Sequence, residues 1–180
     1  MQLDAVETVT ALARAAAPRC GGTVVIGIDG PSGAGKTTLA EAVGRRLRCP
    51  AVHIDDLIPG WDGLAQAAGL LADQVLRPLA AGRAAGYRRW DWDASGWAEW
   101  VAVPSGPQLI VEGCASTAHP AAGFVAVRVW VEADEGVRMV RGIERDGEAY
   151  RPNWERWAAQ ERALFGADRT RERADLVLRT

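Results

Sequence analysis

The sequence predicts an α/β fold in which helices cover both faces of a mainly parallel, five-stranded sheet, giving three layers. Short runs rich in β-branched residues alternate along the chain with stretches of helical spacing. The strand runs are continuously apolar, which is typical of parallel strands buried on both faces. The chain has 180 residues, and we expect residues 1–180 to form a single domain.

Each element follows from a local pattern. Leu3, Val6, Val9 and Leu12 recur at helical spacing, which predicts an N-terminal helix within residues 1–18 that Pro18 stops. The predicted strands lie at 23–29, 51–54, 108–113, 124–132 and 174–179. Further helices are predicted at 35–48, 64–82, 134–145 and 153–165. The segment 83–106 holds turn residues and four of the eight tryptophans, and it is assigned to neither a helix nor a strand.

Composition excludes several classes of protein. Hydrophobic residues make up 48% and charged residues 24%, which indicates a soluble globular chain. The net charge of -2 provides no broad attraction to nucleic acid or to an anionic membrane. Three widely spaced cysteines indicate free thiols in a reducing cytoplasm rather than disulfides or a zinc site. We expect no signal peptide, because the N-terminus lacks a basic start, and no apolar run approaches the roughly 20 residues of a membrane span.

One motif carries specific chemistry. The segment Gly30-Pro-Ser-Gly-Ala-Gly-Lys-Thr37 matches the phosphate-binding pattern G-x-x-x-x-G-K-[ST] between a predicted strand and a predicted helix. Its glycines allow backbone N–H groups to surround phosphate oxygens at a helix N-terminus. The chain has 20 arginines and one lysine, which is Lys36 of this motif. The predicted nucleotide-binding residues are Gly30, Ser32, Gly33, Ala34, Gly35, Lys36, Thr37 and Thr38.

The order of motifs resembles the uridine kinase-like group of P-loop kinases, which includes nicotinamide riboside kinase and phosphoribulokinase. The matching segments are GPSGAGKTTLA (30–40), HIDDL (53–57), LIVEG (109–113), VEADEGVRMVRGIERD (131–146) and RADLVLR (173–179). Leu57 departs from the group, because an aromatic residue is usual there. The resemblance implies a P-loop NTPase fold with a short lid, at about residues 146–152, and the use of ATP and Mg²⁺.

The acids that end two predicted strands are candidate catalytic and metal-binding groups. A carboxylate at the end of the second strand can accept the proton of an attacking hydroxyl, and the resemblance assigns this role to Asp55. Asp56 then supports Mg²⁺ through water or caps the next turn, and a solvated strand end is the alternative for both acids. The resemblance assigns Glu112 to Mg²⁺, and the hydroxyl of Thr37 in the phosphate-binding motif can ligate the same ion. The alternative for Glu112 is a buried acid bonded to backbone donors.

Three arginines recur on one face of a predicted helix, at Arg138, Arg141 and Arg145. The resemblance favours Arg141 and Arg145 as catalytic groups that neutralise charge on the transferred phosphoryl group, and it leaves Arg138 open. The alternative is a solvated face paired with Glu144, Glu148 or Asp134. Arg151 lies in the predicted lid and is a further candidate for the phosphates.

The segment GYRRWDWDASGWAEW, residues 86–100, is the candidate acceptor side. The predicted substrate-binding residues are Asp55, Trp61, Tyr87, Arg88 and Asp91. The alternative for the aromatic residues is that they simply close the core. His53 and His119 lack the spacing of metal ligands and are interpreted as structural residues.

These features predict an ATP- and Mg²⁺-dependent kinase that phosphorylates a hydroxyl of a small molecule, such as a nucleoside. A nucleoside monophosphate kinase is an alternative that Arg88 and Arg89 favour and that the Asp55-Asp56 pair disfavours. A nucleotide-dependent regulatory ATPase that acts on a protein partner is another alternative. The leading interpretation has a small-molecule acceptor as its partner, with neither nucleic acid nor a membrane.

Overall fold

The fold is described by a computed structural model covering residues 2–147 and 150–180. Its strands are β1 (Val24–Asp29), β2 (Ala51–His53), β3 (Ala85–Asp91), β4 (Gly96–Val103), β5 (Gln108–Glu112), β6 (Val125–Glu132) and β7 (Leu176–Arg179). Five of them form one parallel sheet in the order β2-β5-β1-β6-β7. The predicted parallel five-stranded sheet is therefore confirmed.

Helices pack on both faces of this sheet. They are α1 (Gln2–Ala15), α2 (Lys36–Leu47), α3 (Leu64–Leu71), α4 (Arg77–Ala80), α5 (Glu135–Asp146) and α6 (Trp154–Asp168). Successive side chains of β1 enter different cores, as the pleat of a strand requires. Ile26 packs with apolar residues of α1 and α2, whereas Val25 shares a cluster with Leu71 of α3 and Trp157 of α6. The sheet therefore has a hydrophobic core on each side, which makes the three predicted layers.

The predicted helix over 64–82 is interrupted. A π-helical turn, Ala72–Leu76, separates α3 from the single turn of α4. Its apolar side chains Ala72, Val75 and Leu76 are all fully buried. The turn therefore belongs to the core of this face of the sheet.

The segment 83–106 contains an antiparallel hairpin, which the sequence analysis did not predict. Strands β3 and β4 pair Tyr87 with Val101 and Trp90 with Trp97, and the register shifts between Arg88 and Trp90. A shifted register breaks the period-two alternation by which strands are recognised in a sequence. Trp97 and Trp100 of β4 are 46% and 54% exposed, so large apolar residues also face solvent. For both reasons, the pattern of apolar residues in the sequence does not predict the hairpin.

The carboxyl ends of the parallel strands meet at one edge of the sheet. Glu112 at the end of β5 lies beside Ile28 of β1 and His53 of β2 in the strand register. β2 ends at His53, one residue earlier than predicted, and a 3₁₀ turn, Ile54–Leu57, follows directly. This edge is where the binding crevice of an open parallel sheet lies. Among the described residues, no helix is long and apolar enough to cross a membrane.

Candidate active site

Residues 30–35 of the predicted phosphate-binding motif, called the phosphate loop here, join β1 to α2, which begins at Lys36. Gly30, Gly33 and Gly35 have φ angles of 136°, 77° and 89°, a region that L side chains rarely adopt. A Cβ atom at Gly33 would overlap the backbone carbonyl of Arg138 in α5. The glycines therefore permit both the curl of the loop and its close contact with α5.

Asp29, the last residue of β1, anchors the start of this loop and was not predicted as a site residue. Its buried carboxylate accepts hydrogen bonds from the backbone N–H groups of Gly30 (2.7 Å), Ala115 (3.0 Å) and Thr117 (2.7 Å). The Thr117 hydroxyl donates a further bond of 2.9 Å. Burial raises the pKa of Asp29, while these donors favour its charged form. The carboxylate thereby ties the phosphate loop to the segment that follows β5.

Lys36 lies inside the loop and is only 7% exposed. Its Nζ donates to the carbonyl oxygen of Pro31 at 2.9 Å and lies 3.6 Å from the Cys114 Sγ. Burial disfavours its charge, but Cys114, Glu161 and the neighbouring acids outweigh burial and raise the pKa of Lys36. The neighbouring acids therefore keep Lys36 in its charged form although it is buried.

Thr37, Glu112 and His53 form a chain of contacts beside Lys36. The Thr37 hydroxyl lies 3.2 Å from Oε1 and 3.4 Å from Oε2 of Glu112, which is 4% exposed. The His53 Nδ1 lies 2.6 Å from the same Oε1. This hydrogen bond raises the pKa of His53, against an opposing effect of burial. Glu112 is thus bonded to side chains rather than only to the backbone donors that the alternative interpretation required.

The donor set at Thr37 and Glu112 fits a hydrated Mg²⁺. Magnesium keeps several waters and needs only one or two protein carboxylates besides the phosphates of a nucleotide. Within residues 2–147 and 150–180, no group of three or more His, Cys, Asp or Glu side chains could hold a metal ion. A hydroxyl with a single carboxylate matches that requirement of Mg²⁺.

The adjacent acids after β2 have different surroundings. The 3₁₀ turn buries Ile54 and Leu57, so that Asp55 is exposed while Asp56 is half-buried. The Asp56 Oδ2 accepts a hydrogen bond of 3.0 Å from the hydroxyl of Tyr87. Asp55 is one of the acids whose charge raises the pKa of Lys36. The pair is therefore asymmetric, with Asp55 toward the phosphate loop and Asp56 bonded to the hairpin.

Each polar atom of Ser32 forms a hydrogen bond with a residue of α5, of α6 or of the segment between them. Its N–H donates to the Glu161 Oε1 of α6 at 2.6 Å, and its carbonyl accepts from Arg138 of α5 at 3.1 Å. Its hydroxyl accepts a bond of 2.9 Å from the hydroxyl of Tyr150. Glu161 also accepts a bond of 2.8 Å from the indole of Trp157. The phosphate loop and the two helices flanking the predicted lid are therefore joined through one residue.

The three arginines predicted to share one face of a helix have different surroundings in the structure. Arg138 is buried against Ser32 and stacks over the Trp154 ring at 5.4 Å, so its guanidinium is engaged by the phosphate loop and α6. Arg141 and Arg145 instead line a cavity of about 520 Å³ beside the phosphate loop. Arg151 begins an exposed 3₁₀ turn before α6. Of the predicted lid, Glu148 and Ala149 lie outside the described residues, and so does the proposed ion pair of Glu148.

Solved structures of kinases share this architecture. A structure of a possible uridine kinase from Bacillus stearothermophilus aligns over 99% of this chain and 100% of its own, with a TM-score of 0.69 and 21% identity. The chain has the fold of the uridine kinase-like P-loop kinases. A candidate fructose transport system kinase from Silicibacter sp. TM1040 aligns over 96% and 98% of the two chains, with a TM-score of 0.53 and 18% identity. No protein-family model and no curated protein matches the sequence.

In this P-loop kinase fold the β3–β4 hairpin lies beside the acids that follow β2. Tyr87 is buried and bonded to Asp56, and the indole of Trp92 donates to the backbone oxygen of Asp55 at 3.1 Å. Trp61 packs against Trp92 with ring centroids 5.1 Å apart. These contacts bring the predicted substrate residues Asp55, Trp61 and Tyr87 together.

The other predicted substrate residues have contacts within the hairpin. The Arg88 guanidinium donates to the carbonyl of Ala98 at 2.5 Å. Asp91 accepts hydrogen bonds from the backbone N–H groups of Asp93 (3.1 Å) and Ala94 (2.9 Å), which lowers its pKa, as does the neighbouring Arg89. Both residues therefore stabilise the hairpin, and contact with substrate stays a prediction for each.

Gly33 provides a stability test of the phosphate loop. We expect Gly33→Ala to lower the free energy of unfolding by about 1–3 kcal/mol more than Gly82→Ala does. Both glycines have positive φ angles, of 77° and 66°, but a Cβ at Gly82 would meet no atom within 4 Å. The backbone strain is thus common to both variants, and only Gly33→Ala adds the overlap with α5. Urea denaturation measures the difference, and equal losses would contradict the packing described here.

Proposed function

We propose that the protein transfers the γ-phosphoryl group of ATP, with Mg²⁺, to a hydroxyl of a small molecule. The observation that carries the proposal is the meeting of three groups at the carboxyl edge of the sheet. Lys36 of the phosphate loop is surrounded by acids that include Asp55 after β2 and Glu112 at the end of β5. A cation for the phosphates, a metal-supporting carboxylate and a candidate base are the parts that phosphoryl transfer needs.

The cavity beside the phosphate loop is the proposed nucleotide site. It is lined by Gly35, Lys36, Thr37 and Thr38 from the loop and the start of α2, and by Arg141 and Arg145 from α5. The loop and the helix N-terminus offer N–H groups to the phosphates, and the two arginines add positive charge. Its volume of about 520 Å³ lies within the range of ligand pockets, roughly 300–1,000 Å³.

Thr37 and Glu112 are the proposed support for Mg²⁺ in this site. Thr37 and Glu112 would hold the ion, which would supply positive charge against the charge that develops on the transferred phosphoryl group. Glu112 is 4% exposed and already bonded to the hydroxyl of Thr37, so these donors need little rearrangement. Asp56, which Tyr87 holds, is proposed to act on the metal only through water.

Asp55 is the proposed general base. Its carboxylate accepts the proton of the acceptor hydroxyl while the hydroxyl oxygen forms a bond to the γ-phosphorus. The bond between that phosphorus and the bridging oxygen breaks, and ADP leaves with the bonding electrons. Lys36, Arg141 and Arg145 stabilise the charge on the phosphoryl oxygens during the transfer. The products are ADP and a phosphate monoester of the acceptor.

The contacts of the hairpin arginines favour a hydroxyl acceptor over a phosphate acceptor. A nucleoside monophosphate kinase needs arginines that bind the phosphate of its acceptor. Arg89 pairs with Glu99 at 2.7 Å and with Asp91 at 3.2 Å, and Arg88 bonds to its partner strand. Both arginines that supported this alternative are therefore engaged within the hairpin. The aromatic residues Trp61 and Trp92 beside Asp55 suit an acceptor with a flat ring or an apolar sugar face.

A screen of acceptors tests the proposed function. We expect ADP release from Mg²⁺–ATP to depend on an added nucleoside or sugar, and to be much faster with nucleosides than with nucleoside monophosphates. A coupled assay of ADP release across both classes measures this. Faster release with the monophosphates would support the nucleoside monophosphate kinase instead. Release that no acceptor changes but a protein fraction stimulates would support the regulatory ATPase.

A further inference from the structure

His53 makes a contact that its interpretation as a purely structural residue does not explain. It is the last residue of β2 and lies beside Glu112 in the register of the β2–β5 pair. Its side chain is 45% exposed, whereas that of Glu112 is 6% exposed. A half-exposed histidine thus contacts a buried carboxylate on the neighbouring strand. The pairing of β2 with β5 therefore determines how His53 is placed relative to Glu112.

The hydrogen bond fixes both the tautomer of His53 and the orientation of Glu112. An ionised carboxylate only accepts hydrogen bonds, so the Nδ1 atom carries the proton and donates it to Oε1 over 2.6 Å. Oε1 and Oε2 both remain within 3.4 Å of the Thr37 hydroxyl. The rotation of the Glu112 carboxylate is therefore held by His53 on one side and by Thr37 on the other.

We propose that His53 is a positioning residue for Mg²⁺, acting through Glu112. The inference rests on the proposed function, because it assigns Glu112 to the metal that accompanies ATP. A carboxylate held in one rotation loses less freedom when it binds the metal or a metal-bound water, and its donor partner keeps it from turning away. In this proposal His53 acts on the metal only through the hydrogen bond from its Nδ1 to Glu112.

Substitutions of His53 test which of its two ring nitrogens is needed. We expect His53→Ala to raise the Mg²⁺ concentration for half-maximal nucleotide binding by about 10–100-fold. His53→Asn should restore most of the loss, because the amide nitrogen of Asn lies where Nδ1 lies in His. His53→Gln should restore little, because its amide nitrogen lies nearer the position of Nε2. A purely structural residue would not distinguish Asn from Gln in this way.

The chain contains a matched control. His119 makes the same kind of contact, from Nδ1 to the Asp168 Oδ1 at 2.8 Å, on a surface outside the proposed site. His119→Ala removes an equivalent hydrogen bond and should leave the Mg²⁺ requirement unchanged. In a Glu112→Gln background, His53→Ala should have little additional effect, because the two residues act as one unit.

The measurement is calorimetric titration of each variant with ADP at a series of Mg²⁺ concentrations, followed by the Mg²⁺ dependence of turnover. A wild-type Mg²⁺ requirement in His53→Ala, or an equal loss in the Asn and Gln variants, would overturn the role of His53 alone. Wild-type protein that binds no nucleotide at any Mg²⁺ concentration would overturn the proposed function and this inference with it. Melting temperatures without nucleotide check that each variant is folded.

Discussion

Lys36→Met is expected to lower phosphoryl transfer by at least about 10²–10³-fold, the loss that follows removal of one preorganised charge from a reacting centre. Lys36 is buried in the phosphate loop among Glu161, Asp55 and Glu112, and it is the only lysine of the chain. No other lysine can therefore replace its charge. The measurement is kcat for ATP-dependent product formation at saturating Mg²⁺.

A matched variant separates the local effect from a loss of charge in general. Arg45 lies on the same helix as Lys36, but its side chain is 73% exposed and pairs with Glu41. Arg45→Met removes the same charge and should change turnover little, since exposed ion pairs contribute about 0–1 kcal/mol. Comparable activity of the Lys36→Met and Arg45→Met variants would contradict the assignment of the phosphate loop.

Asp55→Asn is expected to lower kcat by about 10²–10⁴-fold, the usual contribution of a general base. The Michaelis constant for ATP should change little, because the amide retains the shape of the carboxylate and leaves the phosphate loop intact. Asp55 is exposed at the turn after β2, on the same sheet edge as Lys36. Steady-state kinetics with the acceptor identified by the screen give both constants.

Asp56→Asn is the comparison for Asp55→Asn, because it makes the same chemical change one residue along the chain. The oxygen of the new amide can still accept the hydrogen bond that Tyr87 donates at 3.0 Å. We therefore expect a smaller loss of activity than in Asp55→Asn. If Asp55→Asn keeps wild-type activity, Asp55 is a solvated strand end and not a base. If Asp56→Asn loses more activity than Asp55→Asn, the two roles are exchanged.

Local patterns were sufficient to predict the sheet and the phosphate loop. The five strands are short and apolar, and the loop needs its glycines and lysine close together. The pattern that predicts each of them therefore lies within a few consecutive residues. The same is true of the acids after β2 and β5, because parallel strands place their carboxyl ends at one edge. The turn after His53 then separates Asp55 from Asp56 by burial, and their different roles stay a prediction.

The contacts that hold the site together could not be predicted in this way. Glu161 bonds to Ser32, which lies 129 residues earlier in the chain, and Asp29 bonds to Thr117, which lies 88 residues later. Nothing near Glu161 in the sequence marks it as different from the other acids of its helix. Its role depends on where α6 docks, which is a property of the whole fold. The sequence predicts a structural role for His53 for the same reason, because its contact with Glu112 arises only when β2 pairs with β5.

The central claim is that the phosphoryl group of ATP is transferred to a hydroxyl, and the ³¹P NMR spectrum of the product tests it most directly. After incubation with Mg²⁺–ATP and the acceptor that most stimulates ADP release, we predict a phosphate monoester resonance that grows in equal amount with ADP. The same signal should be absent with Lys36→Met. Growth of a second diphosphate besides ADP in place of a monoester, or of ADP with inorganic phosphate alone, would contradict the claim.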